Sequence, residues 1–283
     1  MELAFAKMEG LGNDFVMLDD RDSSIVNNTP YRELAQRLCS RRFGIGADGI
    51  ILLLNSDTQD IGFRIFNSDG SEPQMCGNGM RCFAKLAFEQ GILAKKRFTV
   101  ETLAGTIVPE LTVNGDNRVT SVCVDMGEPV LESTKVPFKS DNSLAVNEGV
   151  QVNGKSVYLT AVSMGNPHAV IFVDDVDAVD LEKQGREIET HERFPEKTNV
   201  EFIQPMNDHE FKMRVWERGA GETLACGTGA CASLVASCLN EHSRETALIH
   251  LAGGDLEVRW DRKSNHIFKT GPATLSFTGT VAI

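Results

Sequence analysis

The feature that most constrains the fold is an internal repeat at a spacing of 150 residues. The segment FRIFNSDGSEPQMCGNG (63–79) matches MRVWERGAGETLACGTG (213–229) at an arginine, a glutamate, a cysteine and both glycines of a C-G-x-G motif. A second pair occurs earlier in each half, GLGNDFVMLDD (10–20) and SMGNPHAVIFVDD (163–175). Two matching pairs in the same order indicate a duplicated unit.

The repeat and the composition together predict an α+β protein with two pseudo-symmetric domains. A chain of 283 residues is long enough for two cores, and 41% hydrophobic with 24% charged residues is ordinary for a globular protein. Strand-like runs outnumber helix-like ones and do not alternate with them strictly, which favours α+β over a doubly wound parallel sheet. The turn-rich DMGEP (125–129) predicts a boundary near residues 126 and 127.

Three helices are evident in the sequence. One runs from Tyr31, with Thr29 as the predicted N-cap and Pro30 at the first helical position. Glycine marks the end of the second, which is predicted from near Asn78 to just before Gly91. The third is predicted to run from about 228 to about 240.

Several function classes are disfavoured by the bulk properties. A net charge of −12 argues against nucleic acid as the main partner. No apolar run approaches the roughly 18–20 residues of a membrane span, and the N-terminal segment lacks the basic and apolar regions of a secretion signal. We therefore expect a cytoplasmic protein. The seven cysteines include no C-x-x-C pair, so the pattern suggests neither a zinc site nor a redox centre.

Two cysteines, Cys76 and Cys226, precede glycines at predicted helix starts. The free N–H groups of a helix N-terminus form an anion site and lower the pKa of a cysteine thiol. One such loop alone is better explained by a tight turn that holds a buried cysteine. Two loops that face each other across a cleft are better explained by two-base racemisation or epimerisation, in which one thiolate removes an α-proton and one thiol returns a proton to the opposite face.

This chemistry needs no pyridoxal cofactor, although the sequence does not exclude one. No lysine stands in an evident phosphate cradle. Polar side chains at strand exits are candidate substrate ligands, although each also has a structural explanation as a turn residue or a solvated pair. They are Asn13, Asn67, Asn166, His168, Asn199, Glu217 and Arg218. Arg218 can clamp a second carboxylate, and Glu217 and the asparagines can hold an ammonium group, which suggests an amino-acid substrate with a second amino-acid-like head.

The motifs resemble those of the diaminopimelate epimerase family. They cover residues 10–273 in the family's order: GLGNDF, RRFGIGADG, RIFNSDGSEPQMCGNGMRC, SMGNPHAV, TNVEF, WERGAGETLACGTGAC and GPA. The resemblance implies interconversion of LL- and meso-diaminopimelate in lysine biosynthesis, without metal or pyridoxal. It implies two similar domains, each a mixed sheet around a central helix, with the active site in the cleft between them. The last strand returns to the first domain, giving domains 1–126 with 272–283 and 127–271, and homodimers are common.

The resemblance also assigns roles to individual residues. Cys76 and Cys226 match the catalytic pair, and His168 and Glu217 match residues that tune the cysteines. The matching substrate contacts are the side chains of Asn13, Asn67, Asn166, Asn199, Glu217 and Arg218, and the backbones of Gly77, Asn78, Gly227 and Thr228. One departure is Gly49, where many relatives have glutamine, so that side-chain contact is absent here.

Two alternatives stay open at the level of the residues. The first is a related cofactor-independent racemase that acts on proline or hydroxyproline and would not need Arg218 as a distal clamp. The second is a non-catalytic anion-binding or thiol redox protein, in which Cys76 and Cys226 join reversibly.

Overall fold

A computed structural model describes residues 2–283 of the chain. The chain divides into two compact units: unit 1 comprises the described residues up to Asp125 together with Thr270–Ile283, and unit 2 comprises Met126–Lys269. The domain bounds expected from the sequence, 126/127 and 271/272, stay a prediction. Each unit is mixed α and β, as the sequence indicates.

Unit 1 contains two helices and nine strands. Its strands are β1 (Glu2–Gly10), β2 (Asn13–Asp19), β3 (Gly49–Leu54), β4 (Ile61–Asn67), β5 (Val100–Thr102), β6 (Gly105–Ile107), β7 (Glu110–Val113), β8 (Val119–Asp125) and β18 (Thr274–Ala282). Its helices are α1 (Tyr31–Leu38) and α2 (Gly77–Glu89). The sheet order is β18-β1-β2-β3-β4-β5-β6, and β7 and β8 form a hairpin.

Helix α2 is the centre of unit 1. It packs against β1, β2, β3 and β8, and nearly every side chain from Asn78 to Phe88 is buried. Helix α1 packs against β3 and β4, through Tyr31, Leu34, Ala35 and Leu38. Helix α1 begins at Tyr31 with Pro30 as its N-cap and no side-chain cap, so the predicted Thr29 cap was wrong by one position.

Unit 2 contains two helices and nine strands. Its strands are β9 (Glu148–Val152), β10 (Lys155–Ser163), β11 (Pro167–Phe172), β12 (Asn199–Asn207), β13 (Glu210–Glu217), β14 (Gly221–Thr223), β15 (Thr246–Leu251), β16 (Gly254–Asp261) and β17 (His266–Gly271), whose last two residues are counted in unit 1. Its helices are α3 (Leu181–Glu189) and α4 (Gly227–Leu239). The strand order from β17 is β17-β16-β15-β13-β12-β11-β10-β9, with β14 paired to β13. Helix α4 packs against β10, β11, β12, β15 and β16.

The sequence repeat is a repeat of topology. In unit 1, β1–β2 is antiparallel, β2–β3 parallel, β3–β4 antiparallel and β4–β5 parallel. In unit 2, the series β10, β11, β12, β13 and β15 has the same directions. The matching arginines and glutamates form matching ion pairs, Arg64–Glu72 at 2.6 Å and Arg214–Glu222 at 2.8 Å. The predicted α+β class with two similar units is therefore confirmed.

One helix was not predicted from the sequence, namely α3. Its N-cap Asp180 accepts a hydrogen bond from Lys183 N at 3.3 Å. Gly185 in its middle weakens the helical signal, but a Cβ there would lie 2.5 Å from Cβ of Trp216, so glycine lets α3 pack closely on β13. Among the described residues, no helix has the length and apolar character to span a bilayer.

Candidate active site

Cys76 is the N-cap of helix α2. It has an extended backbone, and its Sγ accepts a hydrogen bond from Gly79 N at 3.4 Å. Its carbonyl accepts from Met80 N at 2.8 Å. These two bonds leave the N–H groups of Gly77 and Asn78 without an acceptor inside the helix. Two backbone N–H groups that bond to no helix carbonyl therefore accompany a half-buried sulfur, at the position where the sequence predicts an anion site.

The side chain of Asn13 lies next to this sulfur in a fixed orientation. Its Nδ2 donates to Asp48 Oδ2 at 2.7 Å, and because a carboxylate only accepts, Oδ1 must point the other way. Oδ1 lies 3.8 Å from Cys76 Sγ. Arg41 bridges Asp48 and Asp14 at 2.7 and 2.8 Å. The ion pair thus holds an amide oxygen toward the Cys76 thiol.

Asp14 stays ionised in this network. Burial works against its ionisation, but hydrogen bonds from Arg41 and Lys7 outweigh that effect and lower the pKa of Asp14 to about 2. Its Oδ1 also accepts from the backbone N of Asp48 at 3.1 Å. The Asp14 carboxylate is therefore available to Arg41 and Lys7 at neutral pH.

Asn78 is held by a buried arginine. Arg81 is fully buried, and it donates to Asn78 Oδ1 at 2.9 Å and to Pro272 O at 2.9 Å. Asn67 lies at the end of β4, where it is exposed and donates to Ser71 Oγ at 2.9 Å. At Gly49, a Cβ would lie 2.6 Å from the carbonyl oxygen of Phe66, so this backbone has no room for a side chain there.

Cys226 is the N-cap of helix α4, in the same geometry as Cys76. Its Sγ accepts from Gly229 N at 3.3 Å, and its carbonyl accepts from Ala230 N at 3.0 Å. It is more buried, with 4% of its surface exposed. Thr228 Oγ1 lies 3.5 Å from Sγ. Burial, followed by the nearby carboxyl group of Glu217, raises the pKa of Cys226 well above that of an ordinary thiol.

A buried polar pair lies behind Cys226. His168 and Glu201 are both fully buried, and Nδ1 of His168 lies 2.7 Å from Oε1 of Glu201. The other ring nitrogen, Nε2, lies 3.0 Å from Oδ1 of Asn166. A Cβ at Gly229 would lie 2.6 Å from Oε1 of Glu201, so this glycine makes room for the protein's own side chain. Burial raises the pKa of Glu201.

The donor atoms of His168, Glu201 and Cys226 lie within 4.8 Å of one another, and their types are those that bind zinc. However, Nδ1 and Oε1 are 2.7 Å apart, closer than the about 3.3 Å that separates two zinc ligands in a tetrahedral site. We therefore interpret the cluster as hydrogen-bonded side chains.

Strand β13 ends at Glu217 and Arg218 begins the loop that follows, which Asn199 holds. Asn199 is 3% exposed, and its Oδ1 accepts from Arg218 N at 2.9 Å, while its Nδ2 donates to Pro167 O at 2.9 Å. Arg218 is exposed and donates from one nitrogen to Glu196 O at 3.0 Å. Oε1 of Glu217 accepts from the hydroxyl of Thr223.

A second buried acid supports the same loop. Glu189 at the end of α3 accepts from Trp216 Nε1 at 2.7 Å and from Gly219 N at 3.0 Å. Buried acceptors therefore hold the backbone N–H groups of Arg218 and Gly219, and the indole of Trp216.

The structure groups most of the predicted residues within each unit. Unit 1 brings together Asn13, Cys76, Gly77 and Asn78, while Asn67 is exposed at the end of β4. Unit 2 contains Asn166, His168, Cys226, Gly227 and Thr228, together with the loop of Asn199, Glu217 and Arg218. Sequence reasoning missed the supporting residues Asp48, Arg81, Glu189 and Glu201. For Glu201 a signal existed, since it is an acid inside the otherwise apolar strand NVEFI.

Comparison with known proteins is consistent with this arrangement. The model of the family "Diaminopimelate epimerase" matches residues 5–132 and 160–276. A protein named diaminopimelate epimerase from Desulforapulum autotrophicum is 68% identical over the full length of both chains. The fold is similar to that of a Bacillus anthracis phenazine biosynthesis protein of the PhzF family (TM-score 0.73, 17% identity, all of both chains). It is also similar to a probable proline racemase from Agrobacterium radiobacter (TM-score 0.70, 17% identity, 99% of this chain and 93% of that one).

Proposed function

This chain belongs to the diaminopimelate epimerase family, and we propose that it interconverts LL- and meso-diaminopimelate in lysine biosynthesis. The reaction is a two-base proton transfer at one α-carbon, by Cys76 and Cys226, without a cofactor or metal. The observation that carries this proposal is the matched geometry of the two cysteines. Each caps a helix in one of two repeated units, with Sγ bonded to the N–H three residues later.

In this proposal, backbone N–H groups at the starts of helices α2 and α4 bind the substrate carboxylate. The free N–H groups of Gly77, Asn78, Gly227 and Thr228 are the donors that a carboxylate needs. As the α-proton leaves, negative charge moves onto the carboxylate. The same N–H groups stabilise it, because they are already oriented toward the anion.

The number of protons on the enzyme is the same before and after one turnover. One cysteine begins as a thiolate and takes the α-proton, which breaks the C–H bond and leaves a planar carbanion conjugated with the carboxylate. The other begins as a thiol and gives its proton to the opposite face. The enzyme ends with the two protonation states exchanged, which is the starting state for the reverse reaction.

The second head of the substrate is assigned to the polar side chains around the cysteines. Arg218 has five N–H donors, of which one is used by Glu196 O, so its guanidinium can clamp the distal carboxylate. Asn13, Asn67, Asn166, Asn199 and Glu217 complete the proposed contacts. His168 and Glu217 tune the cysteines. The proline racemase alternative is not favoured, because likeness to that structure shows only the fold, whereas the family match covers most of the chain.

A direct test is turnover of a substrate panel by protein prepared free of pyridoxal phosphate. We expect conversion of LL- to meso-diaminopimelate to an equilibrium mixture, and no racemisation of L-proline or hydroxyproline. A requirement for added pyridoxal phosphate would contradict the cofactor-free mechanism. Turnover of proline in preference to diaminopimelate would contradict the substrate.

We further propose a homodimer that works in the cytoplasm, where free thiols persist. Strand β18 supports the dimer, because it is the edge of the unit 1 sheet and has no charged residue. Such an edge attracts another strand unless it is covered. Leu275 and Phe277 on it are 41% and 50% exposed, which fits an interface with a second copy.

The dimer can be tested by a charge on the edge. Phe277→Lys should lower the sedimenting mass from two chains to one, while Phe43→Lys should not, although Phe43 is a more exposed aromatic residue of the same unit, at 92%. A single chain in the unaltered protein at micromolar concentration would contradict the dimer.

A further inference from the structure

Glu201 and His168 occupy places that hold apolar residues in unit 1. His168 pairs with Asn199 across β11 and β12, just as Phe15 pairs with Gly49 across β2 and β3. Two residues along the second strand of each pair stand Glu201 and Ile51. Behind Cys76, a Cβ at Gly79 would meet Ile51 at 2.6 Å and Phe15 at 3.6 Å. The same space behind Cys226 contains a carboxyl group and an imidazole.

The contacts of His168 fix where its protons lie. Nε2 faces the side-chain oxygen of Asn166, which only accepts, so Nε2 carries a proton. Nδ1 then has two options. It either accepts a proton donated by a neutral Glu201, or it carries a second proton and pairs as imidazolium with a Glu201 carboxylate.

The surroundings of Glu201 favour the neutral acid. Its second oxygen, Oε2, has no hydrogen-bond partner among the described residues, and no atom of its side chain is exposed. An ionised carboxylate with a bare buried oxygen costs far more than a carboxylic acid with a bare carbonyl. The other titratable groups that face it are Glu217 and Cys226, both of which become negative on ionisation. Protonation of Glu201 avoids a second negative charge in this space.

We propose that Glu201 is a positioning residue: a neutral carboxylic acid that donates to Nδ1 of His168 and holds it as the Nε2–H tautomer. The Nε2–H group in turn binds the oxygen of Asn166 and turns the amide nitrogen of Asn166 away from His168. Asn166 therefore offers N–H donors, which suit an anionic group of the substrate and not its ammonium. This assignment deepens the proposed function, and its catalytic consequence rests on it.

The tautomer can be measured without turnover. In protein labelled with ¹⁵N-histidine, we expect the Nδ1 signal of His168 to be that of an unprotonated acceptor. The Nε2 signal should be that of a protonated nitrogen. The variant His168→Asn identifies the signal by its loss. A protonated Nδ1 in the unaltered protein would overturn the assignment, since it would mean either an imidazolium or the opposite tautomer.

The charge of Glu201 can be measured at the neighbouring thiol. We follow alkylation of Cys226 by iodoacetamide against pH, with the modified peptide identified by mass spectrometry. Glu201→Gln replaces one neutral donor by another, so the rate profile should stay within about 0.3 pH units of the unaltered protein. If Glu201 were a lone carboxylate, its removal would shift the profile downward by about one unit or more, which would overturn the proposal.

The effect on substrate is tested by rescue. The Glu201→Leu side chain cannot donate a hydrogen bond, so this variant should raise KM by about ten- to a hundredfold. That factor is the loss of affinity expected when one hydrogen bond to a charged group is removed. The change in kcat should be smaller. Glu201→Gln, which still donates an N–H to Nδ1, should recover most of that loss. Equal impairment of the two variants, or an unchanged KM in Glu201→Leu, would overturn the positioning role.

A second variant keeps the test valid if Glu201→Leu fails to fold. The double change His168→Phe with Glu201→Ile copies the Phe15–Ile51 pair of unit 1, so it fills the space with a combination that the chain already packs. We expect it to fold and to show the same raised KM; a KM like that of the unaltered protein would overturn the proposal. Absence of diaminopimelate turnover in the unaltered protein would contradict the proposed function alone, because the tautomer and thiol measurements do not depend on it.

Discussion

The two cysteine loops, residues 73–79 and 223–229, have one backbone design and different surroundings. In both, the cysteine caps a helix and its sulfur accepts the third N–H of that helix, at 3.4 Å in unit 1 and 3.3 Å in unit 2. In unit 1 the space behind the loop is apolar. In unit 2 it contains the His168–Glu201 pair. The duplication kept the chemistry of the two loops alike, while the residues around them diverged.

The corresponding asparagines show what this divergence achieves. Asn13 is held through its amide nitrogen by Asp48, so its oxygen faces Cys76. Asn166 is held through its oxygen by His168, so its nitrogen is free. The two equivalent asparagines thus present opposite ends of their amide groups, Asn13 its oxygen and Asn166 its nitrogen. A substrate with two heads needs this asymmetry to be bound in one direction, whereas proton exchange at one carbon needs the symmetry of the two sulfurs.

The largest expected effect comes from removing either sulfur. Cys76→Ala and Cys226→Ala should each lower kcat/KM for epimerisation by a factor of about 10³ or more, since each loses one of two proton-transferring groups. Chiral chromatography of the product mixture measures it. Cys82→Ala is the matched control, because Cys82 lies in the same helix as Cys76 and is a fully buried thiol. Nearly full activity in either catalytic variant would show that the two loops are not equivalent in function.

A smaller effect is expected on stability at the glycines. The added Cβ of Gly79→Ala would lie 2.6 Å from Cδ1 of Ile51, and we expect a loss of about 1–3 kcal/mol in the free energy of unfolding from overpacking. Ile51→Val removes that atom and should recover part of the loss in a denaturant titration of the double variant. Gly229→Ala meets Glu201 instead, so Ile51→Val should not relieve it. Equal relief of both variants would mean that the two spaces are not distinct.

The smallest expected effect concerns thiol ionisation in unit 2. The raised pKa of Cys226 means that this thiol is protonated at neutral pH and that its alkylation accelerates as pH rises. Glu217→Gln removes a negative charge, which lowers that pKa, so the alkylation rate at pH 8 should rise by up to about tenfold. Glu201→Gln is the matched control and should leave the rate unchanged. The reverse order would place the charge on Glu201 and contradict its neutral state.

Much of the fold could be predicted from the sequence because it depends on local patterns, and the same patterns place the predicted site residues at helix starts and strand ends. The pairs Arg64–Glu72 and Arg214–Glu222 stand eight residues apart in each copy, and the C-G-x-G motifs mark helix starts. Helix α3 could not be predicted from the sequence, because Gly185 interrupts the helical pattern. The reason for a glycine at this position is visible only in the close packing of α3 on Trp216.

The pairing of His168 with Glu201 could not be predicted from the sequence either. Its members come from the paired parallel strands β11 and β12. The register of that pairing brings them together, and no local signal in the sequence fixes it. Asp48 and Arg81 were missed for the same reason, since each acts on a residue that is distant in the chain or turned inward by packing.

The most direct test of the two-base reaction is hydrogen exchange during early turnover in deuterated water. LL-diaminopimelate should give meso-diaminopimelate with deuterium at the inverted α-carbon only, while the remaining LL substrate stays unlabelled. This result follows because the proton that one sulfur removes is not the one that the other sulfur delivers. Retention of the substrate's own hydrogen in the product, or early labelling of the remaining substrate at the same rate as the product, would contradict the account.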